Sequence, residues 1–320
     1  MYFLNRLFRP EIFQGKHRSR NYFEGWYFKL IDNSGAHAFA IIPGVSYGDS
    51  DSDAHAFIQV INATNNKTYY FKFDISEFAF SEEEFSVSIG SNLFSKNALT
   101  LNLSNEQFSL TGTLAFSNIF PYPKTRFKPS IMGPYYFFPF MECFHDVINV
   151  QHDILGCLQV DGAETCFDGG VGYLEKDWGT SFPESWLWLQ SNHFDKENAS
   201  LMFSVARIPF LGRKFNGFIS YLRTNEDFYL FASYTGAKLI TFDFENKNSR
   251  IVIKDRKYTL KISGEYTQSG ELIAPKNGLM TRKIKESISS NVEVELLDAK
   301  GNLLFKGCGE KVGMEIVSAD

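Results

Sequence analysis

The chain has 320 residues, enough for two domains that each bury a core. A formal net charge of −5 gives no electrostatic reason to expect nucleic acid or an anionic surface as a partner. With 33 Phe, 15 Tyr and 4 Trp the chain is 16% aromatic at an ordinary 44% hydrophobic content, a balance that suits strands and apolar pockets.

Arg6, Arg9 and Glu11 come before any apolar run of signal length, so no secretory peptide is expected. The first strand-like segment is Glu24-Gly25-Trp26-Tyr27-Phe28. Glu184-Ser185-Trp186-Leu187-Trp188 answers it half a chain later. The echo continues: Phe39-Ala40-Ile41-Ile42-Pro43 matches 203–209, and Phe57-Ile58-Gln59-Val60 matches Phe218-Ile219-Ser220-Tyr221. Spacing kept over three segments implies an internal duplication, with a ligand site expected at the seam between the copies.

Short runs at 85–89, 98–103 and 108–114 read as an antiparallel meander. Residues 120–192 break that pattern, being rich in Pro, Gly and aromatics. Phe120-Pro121-Tyr122-Pro123 and the proline-studded run at 133–140 cannot be central strands, so a connector or lid is expected over about 120–170. The most apolar stretch, 131–141, is broken by Pro134 and Pro139 and is too short to span a membrane. Further on, 250–254 and 258–262 flank Asp255-Arg256-Lys257 as one hairpin. Residues 291–297 and 303–305 form another, and 280–287 fits a strand or a short helix equally. These patterns predict an all-β protein of two antiparallel barrels or sandwiches, 1–170 with the connector and 171–320.

Cys143, Cys157, Cys166 and Cys308 show neither C-x-x-C nor zinc-finger spacing. Reduced thiols and a cytoplasmic location are expected from them. His145-Asp146 and His152-Asp153 suggest metal ligands, but no third ligand follows at a recognisable spacing, so no metal is predicted. No P-loop, dinucleotide fingerprint or nucleophile elbow occurs, and no cofactor is expected.

Three segments carry a family resemblance. Phe23-Glu24-Gly25-Trp26-Tyr27-Phe28-Lys29, Pro139-Phe140-Met141-Glu142-Cys143-Phe144-His145 and Gly172-Tyr173-Leu174-Glu175-Lys176-Asp177-Trp178-Gly179 resemble the tocopherol cyclase family. Trp186-Leu187-Trp188-Leu189-Gln190-Ser191-Asn192 and Gly313-Met314-Glu315 extend the likeness over nearly the whole chain. A more distant similarity is to carotenoid 1,2-hydratases, where a Tyr-x-acid pair precedes Trp-Gly; Tyr173 and Glu175 match it with Glu in place of Asp. The resemblance implies two tandem lipocalin-like β-barrels and closure of a prenylated hydroquinone to a chromanol. Both chemistries begin by protonating a trisubstituted alkene.

That step needs a carboxylic acid in apolar walls, or one held strong by its surroundings, and aromatic faces to stabilise the tertiary cation. On an extended strand Tyr173, Glu175 and Asp177 share a face, while Leu174 and Lys176 point the other way. Glu175 is the expected donor, with Tyr173 and Asp177 beside it. The alternative for Glu175 or Asp177 is a structural pair with Lys176 or a backbone amide. His145 and Glu142 form a second cluster, on one face if helical and on opposite faces if extended. His145 would orient the acid or shuttle a proton. Trp186, Trp188, Gln190 and Asn192 alternate onto one face; with Glu24, Trp26 and Trp178 they are expected to bind substrate. The expected partner is a hydrophobic small molecule, a prenylated quinol or another isoprenoid, reached through peripheral contact with a membrane. No protein partner is predicted. A lipocalin-like carrier without catalysis and a sugar-binding β-protein are the competing readings.

Overall fold

The computed structural model describes residues 2–139, 141–195, 198–210, 213–225 and 227–318. Phe140, part of the second motif above, lies outside them. The chain divides into two compact units, Met1–Phe182 with Leu272–Lys283, and Pro183–Glu271 with Ile284–Asp320. Both are built from antiparallel strands.

In the first unit the strands run, across the sheet, Lys67–Asp74, His55–Asn62, Ala38–Tyr47, Tyr22–Ile31, Gly170–Gly179, Cys143–Leu155, Ser109–Pro121, Ala98–Ser104, Asn92–Ser95, Ser86–Ile89 and Phe78–Phe80. The two edge strands are joined by the single 3-10 turn Ile75–Glu77, whose first residues Asp74 caps by accepting from the Ser76 amide at 2.8 Å. The sheet therefore curls into a nearly closed, lipocalin-like barrel. Trp26, Phe28, Ile58, Phe94, Leu110 and Phe116 belong to one core, drawn from strands all round it. Tyr69 on an edge strand stacks flat on Phe108 with ring centroids 4.0 Å apart. Each such side chain, fully buried, contributes about 1.5–3 kcal/mol.

The second unit orders its strands Phe228–Ala232, Arg213–Arg223, Ser200–Phe210, Trp186–Ser191, Leu303–Val317, Leu279–Asp298, Tyr258–Glu265, Asn248–Lys254 and Lys238–Glu245. Its core gathers Leu187, Leu189, Leu201, Phe203, Ile251 and Val294. Both hairpins expected here form. Asp255 accepts from the Lys257 and Tyr258 amides, each at 2.7 Å, and Asp298 from the Lys300 and Asn302 amides, each at 2.8 Å. Residues 280–287 are strand.

The two sheets share one order of connection. Each begins with a four-strand meander whose first strand pairs with the last strand of its own sheet. The three echoed segments occupy the first, second and third strands of each meander.

Several expectations need correction. Phe120 and Pro121, read as unable to lie in a central strand, close the strand Ser109–Pro121, opposite Gln151 and Asn149. The irregular part of the connector read over about 120–170 begins only at Tyr122, and it gives way to the long strand Cys143–Leu155 and then a hairpin of Cys157–Val160 and Ala163–Cys166. Register shifts at Asn149 and His152 break the alternation of that long strand, which is why its pattern was hidden. The first unit also extends to Phe182, past the boundary read at 170, because Gly170–Gly179 pairs on both sides within the first sheet. In the hairpin, Asp161 and Gly162 take positive φ of 50° and 81°, as a tight two-residue turn requires. Cys157 and Cys166 stand opposite each other and are joined by a disulfide, against the reduced thiols expected; Cys143 and Cys308 are free.

Candidate functional site

Gly170–Gly179 is buried on both faces, and its two faces hold different chemistry. Leu174 and Trp178 belong to the core of the first unit, so alternation turns Lys176 inward with them. Tyr173, Glu175 and Asp177 share the outward face. Tyr173 is fully buried and Glu175 is only 4% exposed. Tyr27 stands beside Glu175 and Lys29 beside Tyr173 on one neighbouring strand, with His145 beside Asp177 on the other. Gly25, also opposite Asp177, adds no side chain to that end of the face.

The outward group is a chain of contacts. The Tyr173 hydroxyl donates to Glu175 Oε2 at 2.5 Å. That same oxygen lies 3.6 Å from His145 Nε2, an ion-pair distance too long for a hydrogen bond. His145 Nδ1 meets Asp177 Oδ1 at 3.0 Å. Burial alone pulls the imidazole pKa down. The charges of Asp177 and then Glu175, with the hydrogen bond to Asp177, outweigh it and raise the pKa to about 9. His145 is therefore an imidazolium at neutral pH, flanked by two carboxyls. The three groups also offer ligand atoms within 4.8 Å of one another and could hold a metal ion. Of the residues whose spacing suggested a metal, only His145 belongs to this group, and both carboxylates come from the neighbouring strand.

Glu142 does not join this group. It precedes the strand, is exposed, and contributes its backbone carbonyl to the Thr180 amide at 2.8 Å. Tyr27 and Lys29 were missed as site neighbours, although both are buried on this face. Their position two and four residues after Gly25 was the available signal, since alternation puts them on its side of the strand and opposite to Trp26.

The inward face is a buried ionic network. Glu24 accepts from the Gln14 amide at 2.9 Å, the Gly15 amide at 3.0 Å and the Tyr22 hydroxyl at 2.5 Å, and pairs with Lys176 Nζ at 2.5 Å. Lys176 also donates to the carbonyls of Pro10 at 2.7 Å and Ile12 at 2.6 Å. Its Nζ lies 4.9 Å from the Trp26 ring centre and 4.8 Å from that of Trp178. Burial pushes Glu24 up and Lys176 down, each partly offset by the other's charge. Trp26 stacks on Phe85 and donates its Nε1 proton to the Glu11 carbonyl at 3.0 Å. Glu24, Trp26 and Trp178 thus lie on the face away from Glu175, packed into the core instead of lining a pocket beside it. The pairing of Lys176 with Glu175 or Asp177 is not made; its partner is Glu24.

Trp186, Trp188, Gln190 and Asn192 are buried in the second unit. Leu187 and Leu189 fill its core, so alternation places Trp186, Trp188 and Gln190 on the opposite face, while Asn192 follows the last residue of the strand. Trp186 Nε1 donates to Glu315 Oε2 at 2.6 Å, and Trp188 stands opposite Glu315 in the ladder.

The sequence model of the family described as tocopherol cyclase-like matches residues 113–317. The chloroplastic tocopherol cyclase of Zea mays is 30% identical over 69 residues, 22% of this chain; the match spans only 15% of the length of that curated relative. Among solved structures, a protein assigned as AttH from Nitrosomonas europaea superposes with a TM-score of 0.56 at 13% identity, covering 93% of each chain. Kievitone hydratase from Nectria haematococca gives 0.54 at 12% identity, covering 96% of this chain and 94% of its own. At those identities the likeness establishes the fold.

Proposed function

This chain belongs to the tocopherol cyclase-like family, and we propose that it protonates a trisubstituted alkene in a prenylated, apolar substrate, with Glu175 as the donor. The observation that carries this reading is the Tyr173–Glu175–His145–Asp177 chain across one face of two paired strands. The Glu175 carboxylate helps hold the proton on His145, and Glu175 becomes the donor when that proton passes to it and leaves the imidazole neutral. Asp177 holds that imidazole in place through Nδ1 and stabilises its charge, as the carboxylate of a catalytic triad does.

In the reaction the Glu175 O–H bond breaks, a C–H bond forms at the less substituted alkene carbon, and the π bond opens to a tertiary cation. The phenol oxygen of a prenylated hydroquinone then closes the ring by forming a C–O bond. Its proton returns to Glu175, directly or through Tyr173, so the cycle consumes no net proton and needs no redox partner. A water in place of the phenol would give hydration through the same cation. Tyr27, opposite Glu175 on the neighbouring strand, supplies an aromatic face for such a cation in our reading. The shared strand order of the two sheets reads as the trace of a duplication. A prenylated substrate partitions into lipid, so transient contact with a membrane surface would deliver it. Among the described residues no helix is long and apolar enough to cross one. The cytoplasmic location expected from the thiols now competes with an oxidising compartment, which the Cys157–Cys166 bond favours.

The test is to incubate purified protein with prenylated hydroquinones under reducing conditions and follow chromanol by chromatography, alongside Glu175→Gln. Product from the wild type, lost by at least about a hundredfold in the variant with binding retained, is expected for a general acid. Equal product from both would remove Glu175 as donor. Tight binding without product from any quinol would leave a carrier.

A further inference from the structure

The hairpin of Cys157–Val160 and Ala163–Cys166 carries a second cluster that the proposed reaction does not use. Cys157 pairs with Cys166, and Gln159 with Glu164, directly across the ladder. Positions two apart on a strand share a face, so both sulfurs, the Glu164 carboxylate and the Gln159 amide project from one side of the hairpin. Gln159 Nε2 already reaches Glu164 Oε2 at 3.4 Å. One ligand atom from each of Cys157, Glu164 and Cys166 lies within 4.8 Å of the other two. Cys166 and Glu164 are exposed and Cys157 is half-buried, which leaves the outer side open to water.

We propose that reduction of the Cys157–Cys166 bond turns this face into a zinc site, with the two thiolates and Glu164 as protein ligands and water as the fourth. Two thiolates and a carboxylate suit zinc, at about 2.3 Å to sulfur and about 2.0–2.2 Å to oxygen. Two sulfurs on one tetrahedral ion sit roughly 3.8 Å apart at that bond length. The Cα atoms of Cys157 and Cys166 are 4.0 Å apart on one face of the hairpin, which puts a separation of that size within reach of the two side chains. The backbone is held independently of the sulfurs. The Ser109 amide donates to Asp161 at 2.8 Å, the Gly156 amide to Asp168 at 2.6 Å, and the Phe167 amide to the Gly156 carbonyl at 2.9 Å.

The chemistry balances with a dithiol reductant, which gives two electrons and two protons to the S–S bond and leaves as its own disulfide. Zinc then displaces the two thiol protons to solvent. Because the same sulfurs serve both states, disulfide and metal exclude each other, and the redox condition of the surroundings selects one.

The experiment titrates zinc into the full-length protein, reduced by a phosphine or left oxidised, against a chromogenic chelator. One equivalent bound by the reduced protein and none at this hairpin in the oxidised protein is expected. The Cys157→Ser/Cys166→Ser double variant should lose that equivalent, Cys143→Ser/Cys308→Ser should keep it, and Glu164→Gln should bind about tenfold more weakly. Cobalt in place of zinc should show a sulfur-to-metal charge-transfer band only in the reduced form. Alkylating the reduced thiols gives the same comparison without mutation, should the double variant fold poorly. Equal uptake by oxidised protein, uptake surviving the double variant or alkylation, or no uptake on reduction would each overturn the proposal. So would its loss in His145→Ala, which would move the metal to the other cluster.

Discussion

Trp26 and Trp186 stand on the first strands of two sheets connected in the same order, each two residues after a glutamate, yet they face opposite ways. Trp26 is fully buried in the core of its unit, stacked on Phe85 and beside Lys176. Trp186 turns away from its core and gives its N–H to a carboxylate, while Leu187 and Leu189 do the packing. The third strands differ in the same manner. Ile58 and Val60 face inward in the first unit, but Phe218 takes the inward place in the second, although it was matched to Phe57. A strand has a period of two, so an alignment wrong by one residue reverses every side chain while leaving the strand where it was. Similarity of motif therefore located all three strands but assigned the faces only of the second, where Phe39 and Ile41 and their matches Phe203 and Val205 all face the core.

The largest expected effects test that reversal directly. Trp26→Ala should destabilise the first unit by about 3–5 kcal/mol, the usual cost of emptying a large core site. In the second unit the matching loss, about 2–5 kcal/mol, should come from Leu189→Ala. Trp186→Phe should cost about 1.5–3 kcal/mol, from one hydrogen bond to a charged acceptor. Urea unfolding followed by fluorescence, with each unit's transition resolved, measures all three. If Trp186→Phe proved more damaging than Leu189→Ala, the indole would be a core anchor after all and the reversal would be wrong.

A smaller effect distinguishes the two faces of Gly170–Gly179. His145 has a pKa of about 9 in the folded chain, against about 6.5 when unfolded. Its folded value is raised, so the contribution to stability is complete below about pH 6.5 and is lost as pH rises through about 9. The full amount is about 3 kcal/mol. Urea midpoints should therefore fall between about pH 6 and about pH 10 by more in the wild type than in His145→Gln. Parallel pH curves for the two proteins would mean that the charges of Asp177 and Glu175 do not hold the proton on the imidazole.

Much of this was legible in the residues because it is local. Alternation alone separated Tyr173, Glu175 and Asp177 from Leu174 and Lys176, and turn chemistry at Asp255 and Asp298 placed both C-terminal hairpins. What stayed hidden depends on which strands become neighbours. Lys176 and Glu24 are far apart in sequence, and their pairing exists only because Gly170–Gly179 lies beside Tyr22–Ile31. The meeting of His145 with Glu175 and Asp177 likewise needs Cys143–Leu155 on the other side. Shifts of register around Asn149 and His152 masked that strand as a connector, and with it the reach of the first unit.

A second asymmetry between the units concerns Leu272–Lys283, which joins the first unit although it lies late in the chain. Gln59, matched to Ser220 in the echo, explains part of the attachment. Its neighbours Ile58 and Val60 face the core, so Gln59 points outward, where it is only 3% exposed. Its Nε2 donates to the Ile273 carbonyl at 3.0 Å and its Oε1 accepts from the Ile273 amide at 2.9 Å, completing both backbone groups of one residue. Ser46 adds a bond to the Gly278 carbonyl at 2.6 Å, and the Gly278 amide reaches the Thr180 carbonyl at 2.7 Å. Gln59→Leu keeps the size but strips both partners from Ile273, at a local cost of about 1–3 kcal/mol. Since about 1.4 kcal/mol is a factor of ten, the Ile273 amide should exchange with deuterium roughly tenfold to a hundredfold faster. Global stability should move less, because the Ser46 and Thr180 bonds remain. Unchanged protection at Ile273 would show that those remaining bonds hold the segment alone and that Gln59 is dispensable to it.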